Sequence, residues 1–167
     1  MATACIKKEI PNIVLALAGC GFEEEGWRRL AKNLEIQENI VFTGQLSKPD
    51  LAKLFHATDV FVITSPLETQ SMVTLQAMAC GLPVVGVKSR ALPEYVIEGE
   101  TGYLVPVDDH KALAGKVIKL LNDSALRDQF GLAGHQVAER YSTEAIGLLW
   151  EKTYQETIDS YKKKSKG

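Results

Sequence analysis

Clustered metal-binding or nucleophilic side chains are missing from this sequence. Its three cysteines (Cys5, Cys20 and Cys80) are scattered, odd in number and never spaced as C-x-x-C, and two of them lie among small apolar residues. That pattern excludes a disulfide framework and predicts reduced, buried thiols in a cytoplasmic protein. The three histidines (His56, His110 and His135) stand apart from one another and from any cysteine or carboxylate at a ligand spacing, which predicts structural or surface roles and no metal site. No Ser-His-Asp or Cys-His arrangement is visible along the chain. Charge of one sign is also lacking: 19 basic against 21 acidic residues leave a net charge of -2, so no basic field points to nucleic acid. Long apolar runs are absent. The stretches 13–18 and 60–63 fall far short of the ~20 residues of a membrane-spanning helix, and MATACIKKEIPN has no apolar core of a secretory signal. Internal repeats are absent, and only the final KKKSKG is compositionally biased.

What is present alternates. NIVLALAG (12–19) is a continuous apolar run closing on Gly19, as expected of a strand buried on both faces. EEEGWRRLAKNL (23–34) spaces Trp27, Leu30, Ala31 and Leu34 as one face of an amphipathic helix. A strand at 39–44 precedes a helix at 47–57 with Ser47 as N-cap and Pro49 in the first turn. A strand at 59–65, a helix at 71–80 stopped by Gly81 and Pro83, and strands at 83–87 and 102–106 follow, then three helical segments between about 109 and 161. Such alternation predicts an α/β fold, a doubly wound parallel sheet with helices on both faces. Residues 1–141 form the domain, 142–161 a trailing amphipathic helix and 162–167 a basic tail. Ligands of such sheets bind outside the carboxyl ends of the strands, here the loops GCGFEEEG, TGQL, TSPLETQS and KSRALPEY.

One of these loops opens the stretch SPLETQSMVTLQAMACGLPVV at residue 65. A helix starting near Ser71, with the serine hydroxyl capping its first turn, offers free amides and a positive dipole end to a phosphate. Glu68 precedes that start, and Gln76 lies roughly 6 to 8 Å beyond it along the helix axis. A nucleotide diphosphate-sugar presents sugar hydroxyls, pyrophosphate and ribose hydroxyls in the matching order, and a carboxylate can accept two hydroxyl hydrogens from one diol. Taken singly, Glu68 also reads as a loop residue or cap, and Gln76 as a solvent-facing helix residue.

The segments NIVLALAGCG, ENIVFTGQLSKPDLAKLFHATDVFVITS, SPLETQSMVTLQAMACGLPVV and LPEYVIEGETGYLVPVDDHKALAGKVIKLLND, covering about residues 10–125, resemble the C-terminal, donor-binding half of GT-B fold glycosyltransferases of the retaining family 4. YSTEAIGLLWEKTYQ resembles the trailing helix of that family. The resemblance implies a Rossmann-like half of a GT-B fold that binds a nucleotide diphosphate-sugar, a UDP-sugar by expectation, with no cofactor and no metal. It places Glu68, the one residue given a catalytic part, against the donor sugar, and Gln76 against the ribose. Thr69, Gln70, Ser71, Met72 and Val73 would offer backbone amides to sugar and phosphate. Gly44, Gln45 and Leu46 would form the turn that meets the base, and Gly19 and Gly21 would line the neighbouring loop. The reaction implied is transfer of the sugar to an acceptor with its anomeric configuration retained.

Several residues depart from the family. Gln76 stands where the family has a second Glu, Ser71 where it has Gly, and Ser89, Arg90 and Ala91 where a Gly pair is commoner; Arg90 is itself within reach of a phosphate. The resemblance also implies a first strand, with an Arg and a Lys gripping the diphosphate, and an N-terminal acceptor domain, neither of which is recognisable before CIKKEIPN. Lys7 and Lys8 fall in the helix after that strand and are not assigned to phosphate. The first strand therefore reads as missing from the centre of the sheet, with unpaired neighbouring edges. The chain is expected to be a fragment inactive without its acceptor domain. Alternatives are a catalytically inactive nucleotide-sugar-binding or scaffolding remnant and, less in keeping with the motif spacing, a sugar-nucleotide epimerase. ETQ after SPL resembles lipid glucosyltransferases, and Lys162, Lys163, Lys164 and Lys166 supply a point of peripheral contact with anionic membrane, the other reading being a solvated tail.

Overall fold

The computed structural model describes residues 1–164. Five strands alternate with helices: α1 Ala2–Lys7, β1 Leu15–Ala18, α2 Glu24–Asn33, β2 Ile40–Gly44, α3 Lys48–His56, β3 Phe61–Ile63, α4 Met72–Ala79, β4 Val84–Val87, α5 Leu92–Tyr95, β5 Gly102–Val105, then α6 His110–Asn122, α7 Ser124–Glu139 and α8 Thr143–Lys164. The strands and the helices α2, α3 and α4 lie within the expected stretches. The single turn α5 was not expected, because Pro93 masks a helix too short to show periodicity.

All strand pairs are parallel, and helices cover both sides, as expected of the α/β class. The strands do not form one sheet, however. β1 pairs with β2 alone, and β3, β4 and β5 form a separate three-stranded sheet. β4, flanked on both edges, is buried at every residue. β1 is only half-buried along Leu15–Leu17 and exposed at Ala18, so the expectation that it is covered on both faces fails. The reason is topological: among the described residues, the β1 edge facing away from β2 has no neighbouring strand. The break accords with the unpaired edges expected from the sequence.

The main core lies over the three-stranded sheet. Val84, Val85, Leu92, Val96, Leu120 and Phe130 are essentially fully buried there, with Ile6 of α1 joining them. α1 packs on α6, and α4 packs on α3 and α7. Two glycines permit close approach. A Cβ at Gly131 of α7 would stand 2.1 Å from the Gly81 carbonyl, and one at Gly102 would stand 2.0 Å from that of Val84. On the other sheet the cover is thin. Trp27 and Leu30, expected on the inner face of α2, are 49% and 44% exposed, while Ala31 is buried. Cys20 is exposed and Cys5 and Cys80 are partly so, which corrects the expectation of buried thiols: Cys20 follows the uncovered strand β1.

The helix α8 buries none of its residues, and Leu148, Trp150, Tyr154 and Tyr161 are exposed along it. It continues through Lys164, so Lys162, Lys163 and Lys164 stand on its last turn, while Lys166 lies outside the described residues. No described helix is long and apolar enough to cross a membrane.

Candidate functional site

At the carboxyl ends of the strands the loops fall into two groups, one on each sheet. On the first, Gly19 and Gly44 meet: the Gly19 amide donates to the Gly44 carbonyl at 2.8 Å. Both adopt positive φ, 123° and 65°, which explains glycine at each position. Gly21, Gln45 and Leu46 extend these turns, with Gly21 and Gln45 exposed and Leu46 half-buried. α3 begins directly after. Its N-cap Ser47 accepts from the Asp50 amide at 3.3 Å and donates its hydroxyl hydrogen to the Asp50 carboxylate at 2.6 Å. That hydrogen bond, aided by Lys53, holds the Asp50 carboxyl below the usual carboxylate range.

On the second sheet, β3 runs into the loop that carries Glu68. Two contacts anchor this loop to the one after β4. The Ser89 hydroxyl donates to the Pro66 carbonyl at 2.7 Å, and the Ala91 amide donates to the Glu68 carbonyl at 3.3 Å. The Glu68 side chain is half-buried, and Thr69 and Gln70 are exposed. Ser71 then takes a left-handed conformation (φ 43°, ψ 58°) and turns the chain into α4. Its carbonyl accepts from the amides of Thr74 and Leu75. Its hydroxyl does not cap the helix, contrary to expectation, but shares a buried 2.7 Å hydrogen bond with the Thr74 hydroxyl. The left-handed turn carries the side chain beneath the helix, away from the first-turn amides. Thr74 had not been singled out in the sequence, although a hydroxyl three residues beyond an N-cap position is a recognisable spacing.

The outcome is a run of free donors. Among the described residues, no acceptor takes the amide hydrogens of residues 68–73. These amides stand at the positive end of α4, where a negatively charged group is favoured. Met72 is 53% exposed, and Val73 is half-buried against the core. Gln76 lies on the exposed side of α4 with a free carboxamide. Arg90, exposed and in the left-handed region at φ 46°, adjoins the loop tied to Glu68. Thus Glu68, Thr69, Gln70, Ser71, Met72, Val73 and Gln76 share one element of the second sheet, and Gly19, Gly21, Gly44, Gln45 and Leu46 share the first.

Lys7 is held elsewhere: its ammonium donates to the Glu35 carbonyl at 2.6 Å, past the end of α2. A shallow depression lined by His56, Cys80, Asp128 and His135 lies at the opposite ends of the strands, beside Gly81 and the start of β4. His135 Nδ1 meets the Ala79 carbonyl there at 2.8 Å, a cap on α4, and among the described residues no His, Cys, Asp and Glu group is arranged to hold a metal.

Comparison with known proteins gives the family and the fold. The sequence family described as Glycosyl transferases group 1 matches residues 2–137. N-acetyl-alpha-D-glucosaminyl L-malate synthase of Bacillus anthracis is 34% identical over 145 residues, 86% of this chain and 38% of that protein. The solved structure of sucrose-phosphate synthase from Thermosynechococcus elongatus superposes with a TM-score of 0.82 at 28% identity, covering 95% of this chain and 42% of that one. Anabaena HepE, solved in complex with UDP, shares the fold at a TM-score of 0.82 and 23% identity, over 93% of this chain and 44% of its own. The chain spans less than half the length of each of these relatives.

Proposed function

The chain belongs to the glycosyl transferases group 1, and we propose that it binds a nucleotide diphosphate-sugar, of the UDP class, as the donor half of a retaining glycosyltransferase. The observation that carries this reading is the run of six free amides from residue 68 to residue 73, beginning at the Glu68 carboxylate and ending in the first turn of α4. The amides take the diphosphate, Glu68 takes the hydroxyls of the sugar, and Gln76, farther along α4, takes those of the ribose. The turns at Gly19–Gly21 and Gly44–Leu46 receive the base. The UDP bound to a neighbour of the same fold supports the choice of nucleotide.

In the reaction the bond from the anomeric carbon to the diphosphate oxygen breaks, and a bond to the acceptor oxygen forms. The acceptor's hydroxyl proton leaves with the departing diphosphate. Negative charge grows on that diphosphate, and amides already aimed at it lower the barrier without reorganising. Arg90 adds a cation beside the same loop. No metal or cofactor has a part in this scheme. A second domain that faces this one provides the acceptor and holds its oxygen near the anomeric carbon. Lys162, Lys163 and Lys164 on the last turn of the trailing helix, with Lys166 of the same basic tail in the sequence, favour a cytoplasmic protein in peripheral contact with anionic lipid.

Calorimetric titration of UDP and UDP-glucose tests the donor site. Both should bind saturably; no binding by either to folded protein would sink the reading. Glu68→Ala should weaken UDP-glucose about tenfold, the loss of one charge-assisted hydrogen bond, and leave UDP within about twofold. Equal loss for both ligands contradicts a role at the sugar. Gln76→Glu should tighten both about fivefold through a charged acceptor on the ribose; an unchanged affinity makes Gln76 a plain surface residue. The carboxamide at Gln76 also favours a second reading, a binding or scaffolding domain without catalysis. Saturable donor binding, with no donor hydrolysis or transfer by a longer form of the protein that includes an acceptor domain, would select it.

A further inference from the structure

The loop GCGFEEEG between β1 and α2 carries one aromatic ring before the helix begins, and the mechanism gives it no part. Phe22 is 107% exposed, more than any other large apolar side chain among the described residues. The turn that presents it is well fixed. The Gly19 amide donates to the Gly44 carbonyl at 2.8 Å, and the Glu24 amide donates to the Gly21 carbonyl at 3.2 Å, which closes the chain around Phe22. Arg28 ties the first turn of α2 to β2. Its guanidinium donates to the Glu24 carboxylate at 2.6 Å and lies over the Phe42 ring, 4.0 Å from the ring centre. The loop of Phe22 is thereby anchored at the carboxyl end of β2, against the turn that holds Gly44.

The surroundings of the ring admit a flat ligand. A Cβ built at Gly19, Gly21 or Gly44 would meet nothing within 4 Å, so three positions without side chains adjoin one exposed ring. Charge narrows the choice. Glu23, Glu24 and Glu25 follow Phe22 directly. Their carboxylates disfavour a phosphate or an anionic lipid surface against the ring, and they leave a neutral heterocycle unopposed.

We propose that Phe22 is the stacking platform for the nucleobase of the donor. The proposal rests on the donor-site reading, which places the base at the turns Gly19–Gly21 and Gly44–Leu46, and it assigns the side chain that grips it. One face of the Phe22 ring is covered by one face of the base. Stacking of this kind depends on the π surface and not on the base's pattern of donors and acceptors. Phe22 therefore supplies affinity for a nucleotide over a sugar phosphate that has no base. Choice among bases falls to the hydrogen-bonding groups of the neighbouring turn.

Calorimetric titration of UDP into a set of Phe22 variants tests the platform, with circular dichroism to check that each is folded. Because Phe22 is fully exposed and precedes the helix, its replacement removes no core contact. Phe22→Ala should weaken UDP at least about fivefold, and Phe22→Leu, apolar but without a π face, should do the same. Phe22→Tyr should stay within about twofold of the unaltered protein. Phe22→Trp adds an indole to Trp27 and Trp150, and UDP should quench its fluorescence beyond any change seen in the unaltered protein. An alanine variant within about twofold of the unaltered protein would overturn the platform. So would a leucine variant that binds as well as the tyrosine one, which marks plain apolar cover, or the absence of added quenching in Phe22→Trp. Each of these results leaves the donor site standing, whereas an unaltered protein that does not bind UDP would sink both.

Discussion

At the scale of single residues, hydroxyl and carboxylate groups near helix starts decide local geometry. Ser47 shows the simple case: an N-cap legible in sequence, with Asp50 three residues on returning a carboxylate to the same hydroxyl. The Asp50 carboxyl is held low first by Ser47 and then by Lys53. Since its folded-state pKa lies below the unfolded one, its stabilising contribution is fully present at neutral pH and is lost as pH falls through the folded value, below that of a free aspartate. A carbon-detected NMR titration should place the Asp50 midpoint below that of a free aspartate, and Ser47→Ala should return it toward that value; an unmoved midpoint counts against the hydrogen bond as the cause. Ser71 looks alike in sequence and behaves differently, because the left-handed turn redirects its hydroxyl to Thr74. Asn39 is a residue whose importance only the fold discloses. Buried before β2, it donates to the carbonyls of Pro11 and Ile13 and so holds the entry to β1. Asn39→Ala should cost about 2 kcal/mol by loss of both hydrogen bonds and exposure of two orphaned carbonyls, read as a lower midpoint in urea unfolding; a shift under a few tenths would contradict this role.

At the scale of elements, glycines separate close packing from mere permissiveness. Gly131 in α7 lets that helix approach the turn after α4, and the Gly81 carbonyl occupies the place of any Cβ. Gly131→Ala should therefore destabilise the protein by about 2 kcal/mol or more, a fall of roughly 4–8 °C in Tm for a chain of this size. Gly115, in the exposed part of α6, has nothing within 4 Å of a built Cβ. Gly115→Ala should raise stability by about 1 kcal/mol through helix propensity alone. Differential scanning calorimetry of the pair checks both signs, and a neutral Gly131→Ala would show that α7 can withdraw from the turn at little cost. Sequence periodicity cannot distinguish these glycines, since each sits inside a helical pattern and only the neighbouring backbone separates them.

At the scale of the whole molecule, the two groups of site loops stand on two sheets with, among the described residues, no strand pairing between them. The sequence by itself determined the strand-helix alternation, the parallel class and the loop order, because apolar runs and helical periodicity are local properties that burial enforces. It also picked out Glu68, Ser71 and Gln76 as neighbours, since one loop and one helix carry all three. Only the tertiary structure decided that Ser71 leaves the first-turn amides free, that Gly131 has no room for a side chain, and that β1 pairs with β2 while β3, β4 and β5 form a sheet of their own. Each depends on which backbone passes beside which, a relation between residues far apart in the chain that no local pattern encodes.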